Sequence, residues 1–458
     1  MLAISLALLL AAPTDAYLDQ TRARWEQVSR QVWEFSETAL HEQKSAALFE
    51  DLLEKEGFKV QRGVGALPTA FVAAAGSGSP VVAILAEYDA LPGLSQKGGE
   101  ARKDPLAADE PGHGCGHNLL GTAAVAAAVA ANRDRIQRKL PGTVQVFGTP
   151  AEEIGIGKTF MLMAGAFRNT DVVLSWHPGD KSEVANGKRL ALTATEVEFF
   201  GKTAHAAASP WLGRSALDAL ELFEHAMSLM REHLHPTARI HRVIKNGGTA
   251  ANIIPDYTKV QVWLREADIG AVEDLLGRMR KAADGAALAT ETRAKVTVLA
   301  SVRDPISNQV LGGVMQKELE RVGAPKWDER DTAFAKALQK ELGAPEAGLA
   351  SGVTPYGVHG STASSDIGEV SAAAPLAELG VATRPLGTAA HHWATTSCSQ
   401  HPVGVKGMEV AAKVLGASLV DLLSDPATVA AAKAEFARAT KGKPYQSPLA
   451  ADAKPAVF

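Results

Sequence analysis

Val81-Val82-Ala83-Ile84-Leu85-Ala86-Glu87-Tyr88-Asp89-Ala90-Leu91-Pro92-Gly93 is the stretch that decides the fold class. It begins as an almost unbroken apolar run, the pattern of a strand buried on both faces. It then turns acidic and closes on a Pro-Gly turn. Strands covered on both faces belong to α/β sheets flanked by helices. The segments around it follow suit. Upstream, Trp25, Val28, Val32 and Phe35 recur at helical spacing between Tyr17 and about Gly57, and a second amphipathic stretch, Ser45 to Glu56, stops at Gly57. FVAAAG (71–76) reads as another strand. Downstream come a glycine-rich loop, Pro111 to Gly116, and an alanine-rich helix from Asn118 to about Asn132. The strand TVQVFGTP ends at Ala151-Glu152-Glu153, and DVVLSW ends at His177-Pro178. Alternating strands and helices predict a mixed-sheet α/β domain.

From about Leu190 the pattern changes. ALTATEVEFFGK, SALDALELFEHAMSLMREHL, HRVIKNGG, KVQVWLREAD, AVEDLLGRMRKAADGAA and AKVTVLASVRD read as strand, helix, strand, strand, helix, strand. That β-α-β-β-α-β order predicts an inserted ferredoxin-like domain over 190–303. The main domain, 17–189, resumes at 304–458 and closes with a helix from Gly404 to Leu423. A Pro- and Lys-rich tail from Lys441 is expected to run over the surface.

The 458 residues suit two domains. A formal net charge of -4 lacks the basic face that a nucleic-acid partner needs. The apolar run Leu2 to Ala12, followed by Pro13 and small residues up to Ala16, reads as a short signal segment over 1–16, although Lys and Arg are missing ahead of it. It implies a periplasmic or secreted protein; the alternatives are a buried N-terminal helix or a different start, and a cytoplasmic location. The run is shorter than the roughly 20 apolar residues that span a bilayer. Two cysteines, Cys115 and Cys398, make no disulfide framework, and separate fates are expected.

Cys115 and His117 stand two residues apart among glycines that let the chain approach a ligand closely. Thiolate and imidazole together suit zinc and other first-row ions. Alone, the pair is equally a buried thiol beside stray histidines. Asp89, Glu152, Glu153 and His177, however, all follow strands, and ligands of open α/β sheets bind at the carboxyl ends of strands. Of two adjacent carboxylates on a loop, one can bind metal while the other stays free as a base. His391 and His392 offer a remote ligand. His205 and Asn252, in the inserted segment, can contact a substrate carbonyl or carboxylate, or simply sit in a domain interface.

The stretches AILAEYDALPGLSQ, GHGCGHNLLGTA, GTPAEEIGIGK, WHPG, GKTAHAAASPW, GGTAANIIPDY, SSDIGEVS and GTAAHHW, in this order, resemble the co-catalytic metallo-aminoacylases and carboxypeptidases of peptidase family M20, and within them the aminobenzoyl-glutamate hydrolase branch. The resemblance implies an enzyme, a metal-dependent amidohydrolase with two divalent ions (zinc, manganese, nickel or cobalt) that cleaves the amide of an N-acyl amino acid. A dipeptidase or carboxypeptidase on the same site is the alternative, and a non-catalytic partner subunit the minor one. It implies Cys115, His117, Glu153, His177 and His391 as ligands, with His392 as fallback, and Glu152 as general base. Asp89 supports the metal pair. His205 polarises the scissile carbonyl, in many members across a dimer interface, and Asn252 binds substrate. The inserted domain acts as a lid and joins a homodimer. An arginine would bind the substrate carboxylate: Arg265 is preferred, with Arg214 and Arg242 as other candidates. Gly114 departs from the family pattern, which has a slightly larger residue there.

Overall fold

The structure is a computed structural model that describes residues 12–357 and 363–457. Its strands are β1 (Lys59–Arg62), β2 (Phe71–Ser77), β3 (Val81–Ala86), β4 (Gly142–Gly148), β5 (Val172–Gly179), β6 (Glu183–Ala185), β7 (Ala191–Phe200), β8 (Arg239–Asn246), β9 (Tyr257–Glu266), β10 (Arg293–Val302) and β11 (Leu376–Ala382). Seven of them form one mixed sheet in the order β1-β2-β4-β3-β5-β11-β6. Its centre, β4-β3-β5-β11, is parallel, and antiparallel pairs finish both edges.

The apolar run of β3 is continuous because both faces of this sheet are covered. Val82, Ile84 and Ala86 enter one hydrophobic core and Ala83 and Leu85 the other, the period-two alternation of a pleated strand. The helix His117–Gln137 lies across the first face, buried over most of its length. Its alanines let it sit close to the sheet and to the helix Pro402–Ser424. The indole of Trp176, in β5, donates to the Leu120 carbonyl at 2.9 Å and pins that helix to the sheet.

The other four strands form a second, antiparallel sheet in the order β10-β7-β9-β8. The helices Ala216–Met230 and Ile269–Ala289 pack on it around a separate core built on Phe199, Phe223, Val262 and Met279.

Several local expectations change. The N-terminal helical stretch divides into Pro13–Gln20 and Arg22–Phe35. Helices Gln309–Val322, Glu329–Glu341 and Pro426–Ala439 were not anticipated. The tail beyond Lys441 packs rather than trails: Leu449 is buried and the Tyr445 hydroxyl donates to Glu369 at 2.7 Å. Of the expected leader, residues 1–11 lie outside the described residues. Residues 13–16 open the helix Pro13–Gln20, where buried Asp15 meets Arg321 at 2.7 Å, so a cut after Ala16 falls within a packed helix. Cys115 and Cys398 are both free and buried.

Candidate metal centre and active site

The parallel strands β3, β4 and β5 end on one side of the sheet, where ligands of such sheets bind. Glu87 and Asp89 follow β3, Glu152 and Glu153 follow β4, and His177 lies near the end of β5. Cys115 and His117 arrive from the glycine loop. Gly116, with φ of 82°, turns the chain into the helix that starts at His117, a conformation that disfavours any side chain. His391 comes from the loop after β11, and its backbone N–H donates to the Gly114 carbonyl at 2.8 Å, tying the two loops together. A methyl at Gly114 would meet Leu94 Cδ1, the mobile end of a side chain.

Cys115 sits at the shared corner of two groups. With His117 and His177 it forms one triad, and with Glu153 and His391 another; within each, the ligand atoms lie within 4.8 Å of one another. Cys115 Sγ is 3.4 Å from His177 Nε2, and His391 Nε2 is 3.1 Å from Glu153 Oε2. His392 turns away and accepts the Ala394 N–H at its own Nδ1, capping the helix Trp393–Cys398. Asp89 joins the groups from behind. One oxygen takes the His117 Nδ1 proton at 2.9 Å and the other takes the Glu153 N–H at 2.9 Å. In the neutral ring, the tautomer this favours leaves His117 Nε2 with a free lone pair. Buried Glu42 plays a similar part for the acidic elbow: it accepts the N–H of Ala151, a residue with φ of 57°, at 2.8 Å and the Thr69 hydroxyl at 2.9 Å.

The groups perturb one another strongly. Burial alone would raise the Cys115 thiol, but the imidazoles of His177 and His117 pull it well below its ordinary value, favouring thiolate. Burial works against charge on His177 too, yet Cys115 holds it at about 9. His391 is raised to about 10 by Cys115 and Glu153. Burial pushes Glu153 up to about 7, and burial together with Glu87 pushes Glu152 well up, an effect that Lys158 opposes.

Sequence reasoning missed Lys158. It is wholly buried, with its ammonium 2.5 Å from Asp366 and 2.8 Å from Glu87. Burial lowers its basicity, but Asp366, Glu87 and Glu152 outweigh this and hold it well above the usual lysine value. Asp366 stands in the SSDIGEVS stretch, and Lys158 follows the glycines of GIGK; neither position is marked as buried by its neighbours in sequence.

A cleft of about 610 Å³ opens over the centre, lined by Cys115, Glu152, Glu153, His177 and His391 on one side and by Trp263 and Arg265 of β9 on the other. Arg265 is held by the Ser364 hydroxyl at 2.7 Å, and its charge is weakened by burial. Arg384 also lines the cleft, donating to the backbone carbonyls of Pro178 and Thr388. Arg214 and Arg242 are engaged elsewhere, with Glu291 and Glu224. His205 and Asn252 are not among the residues that line this cleft. The His205 ring accepts the N–H groups of Ala207 and Ala208 in an exposed turn.

The donor set fits divalent ions. His117 Nε2 and Glu153 Oε1 are buried and have no hydrogen-bond partner among the described residues, an arrangement that costs free energy unless cations satisfy them. Sulfur, imidazole and carboxylate donors are those of zinc and its neighbours.

Residues 83–420 match the family described as peptidase family M20/M25/M40. The chain is 36% identical to the second of the two named subunits of p-aminobenzoyl-glutamate hydrolase of Escherichia coli K12, over 96% of this chain and 98% of that protein. It is 37% identical to the Xaa-Arg dipeptidase of Mus musculus over 60% of this chain and 62% of that one. In fold it is similar to a dinuclear metal-binding peptidase of the M20 family from Bacillus subtilis, with a TM-score of 0.59 and 20% identity over 89% of this chain and 99% of that one. It is also similar to an aminobenzoyl-glutamate utilization protein from Klebsiella pneumoniae, with a TM-score of 0.59 and 18% identity over 90% and 98%. The chain belongs to peptidase family M20/M25/M40, and it is a hydrolase of amide bonds.

Proposed function

We propose that this hydrolase cleaves N-acyl amino acids, of aminobenzoyl-glutamate or acyl-aspartate type, at a centre for two divalent ions. The observation that carries the reading is the pair of triads sharing Cys115. Cys115, His117 and His177 would hold one ion, and Cys115, Glu153 and His391 the other. Such ions, when bound, acidify water and polarise a carbonyl. Glu152 lies on the cleft wall beside both triads and takes the proton from the attacking water, then delivers it to the leaving nitrogen. Asp89 orients His117 and Glu153 and so keeps both triads in register. Cys115 is a ligand rather than a nucleophile. Arg265, cationic and bonded among the described residues to the Ser364 hydroxyl, receives the substrate carboxylate from the second module.

His205 and Asn252 act on substrate from the second module, which serves as lid and dimerisation domain in a homodimer. Its β-α-β-β-α-β order and its exposed Trp211, Leu212, Val243 and Ile244 support this reading. The E. coli relative is named as one of two kinds of subunit, and the other kind is itself 27% identical to this chain, so a second type of chain is an alternative partner. Export directed by the apolar run within 1–16 completes the reading.

Glu152→Gln tests the chemistry. It should retain metal and lose 10²–10⁴ in turnover, the range of a general base; a variant within about tenfold of normal activity would remove Glu152 from that role. Dipeptide hydrolysis is the second reading, favoured by the identity to the Xaa-Arg dipeptidase. A turnover screen of aminobenzoyl-glutamate, acyl-aspartates, hippurate and dipeptides, with metal counted in the same preparation, separates the two.

A further inference from the structure

Glu87 is left over when the two triads are filled, yet its geometry ties it to the centre. One of its oxygens, Oε1, lies 2.8 Å from the buried ammonium of Lys158. The other, Oε2, is buried, has no hydrogen-bond partner among the described residues, and lies 3.4 Å from His117 Nε2, which is equally unpartnered among them. Asp89 accepts from His117 Nδ1, so with the ring neutral two acceptor atoms face each other at 3.4 Å, a gap that a cation would fill. Glu152 completes the set: the ligand atoms of Glu87, His117 and Glu152 lie within 4.8 Å of one another. An uncompensated carboxylate here would be costly. Lys158 offsets that cost on one side, and Asp366 in turn holds Lys158 through both its ammonium and its backbone N–H, at 2.5 and 3.0 Å.

We propose that Glu87 is an additional metal-facing carboxylate on the His117 side of the centre, and that Lys158, clamped by Asp366, is the positioning residue that fixes its orientation. The proposal rests on the metal centre proposed above. Asp366 is two residues from Ser364, which holds Arg265 of the second module. The same clamp therefore links the floor of the centre to the wall that receives substrate.

The test is metal binding, read apart from activity. Metal-free wild-type protein, Glu87→Gln, Lys158→Met and Lys158→Arg are each titrated with manganese or zinc, and bound ions per chain are counted. Glutamine keeps the volume and its oxygen can still face Lys158, while its amide would donate to His117 Nε2 and block it. Expected are two ions in the wild type, and for Glu87→Gln a loss of about 10–100-fold in affinity for one of them, the scale seen for groups that orient ligands. Lys158→Met should weaken the same ion and Lys158→Arg should recover part of the loss. In the cobalt-substituted protein the Cys115 thiolate absorption should persist in Glu87→Gln while the d–d bands change. Glu87→Gln that binds both ions as the wild type does overturns the proposal and leaves the metal centre standing. A wild type that binds no metal overturns both. If Lys158→Met does not fold, Glu87→Gln alone decides the role of Glu87 and Lys158→Arg that of Lys158.

Discussion

At the scale of single residues, burial raises the carboxylate that supports the elbow as it raises those that meet the cleft. Glu42 accepts from Ala151 and Thr69 and is raised to about 7, first by burial and then by the charge of Asp89. The folded protein therefore holds this proton more tightly than the unfolded chain, where the group titrates near 4.5. The stabilisation is full below pH 4.5 and is lost as pH rises through about 7. Glu42→Gln copies the protonated form, and the Thr69 hydroxyl can rotate to accept from the new amide. In metal-free protein the wild type should lose on the order of 2 kcal/mol more stability than Glu42→Gln between pH 5 and pH 8. Denaturation midpoints at the two pH values measure this; identical losses would mean that Glu42 keeps its charge in the fold.

The same scale marks how far the sequence reaches. Asp89, Glu152, Glu153 and His177 were legible because each follows an apolar run, and a strand end is a position that sequence can point to. His391 and His392 were not separable, because a backbone φ of 57° at His391, invisible in sequence, decides which ring meets Glu153 and which one caps a helix. Lys158 was illegible for a deeper reason. A lysine after glycines looks solvated, and its burial depends on Glu87 and Asp366, partners that only the folded sheet brings to it.

Among elements, the helix His117–Gln137 carries the most consequence, because its first residue belongs to the proposed metal centre and its side packs on β3. Gly121 is the contact point: a methyl built there would stand 2.6 Å from the Glu87 carbonyl oxygen and 2.8 Å from Phe49. Gly121→Ala should therefore push the helix from the end of β3. It should cost about 1–3 kcal/mol despite the better helix propensity of alanine, and lower metal affinity as well. Gly416→Ala, in the neighbouring helix, meets the Ala127 carbonyl at an ordinary 3.5 Å and serves as the control, tolerated in both measurements. Thermal midpoints and bound metal for the two variants decide the point; equal behaviour would mean that the helix is free to shift. The tail around Leu449, whose burial depends on remote packing, carried no comparable sequence signal, whereas Glu329–Glu341 is marked by its capping box at Asp328 and Asp331 and by Phe334 and Leu338 at helical spacing.

For the whole molecule, the role proposed for His205 depends on the route by which this residue would reach substrate. It lies in an exposed turn of the second module and is not among the residues lining the cleft of its own chain, whereas Arg265 of the same module is. Either the module swings, or His205 serves the cleft of a second copy. In the second case each active site of a homodimer joins Glu152 of one chain to His205 of the other. Glu152→Gln and His205→Ala would each be inactive alone. Mixed after dissociation and reassociation, they would form hybrid dimers in which one site combines two intact residues and the other combines both lesions. Random pairing makes half the dimers hybrid, so recovery should approach about a quarter of the wild-type rate, as two-fold symmetry requires. Metal content should stay normal in His205→Ala, because the residue is remote from both triads. No recovery on mixing, with hybrids verified by mass, would assign His205 to its own chain and make closure of the module the step that completes the site.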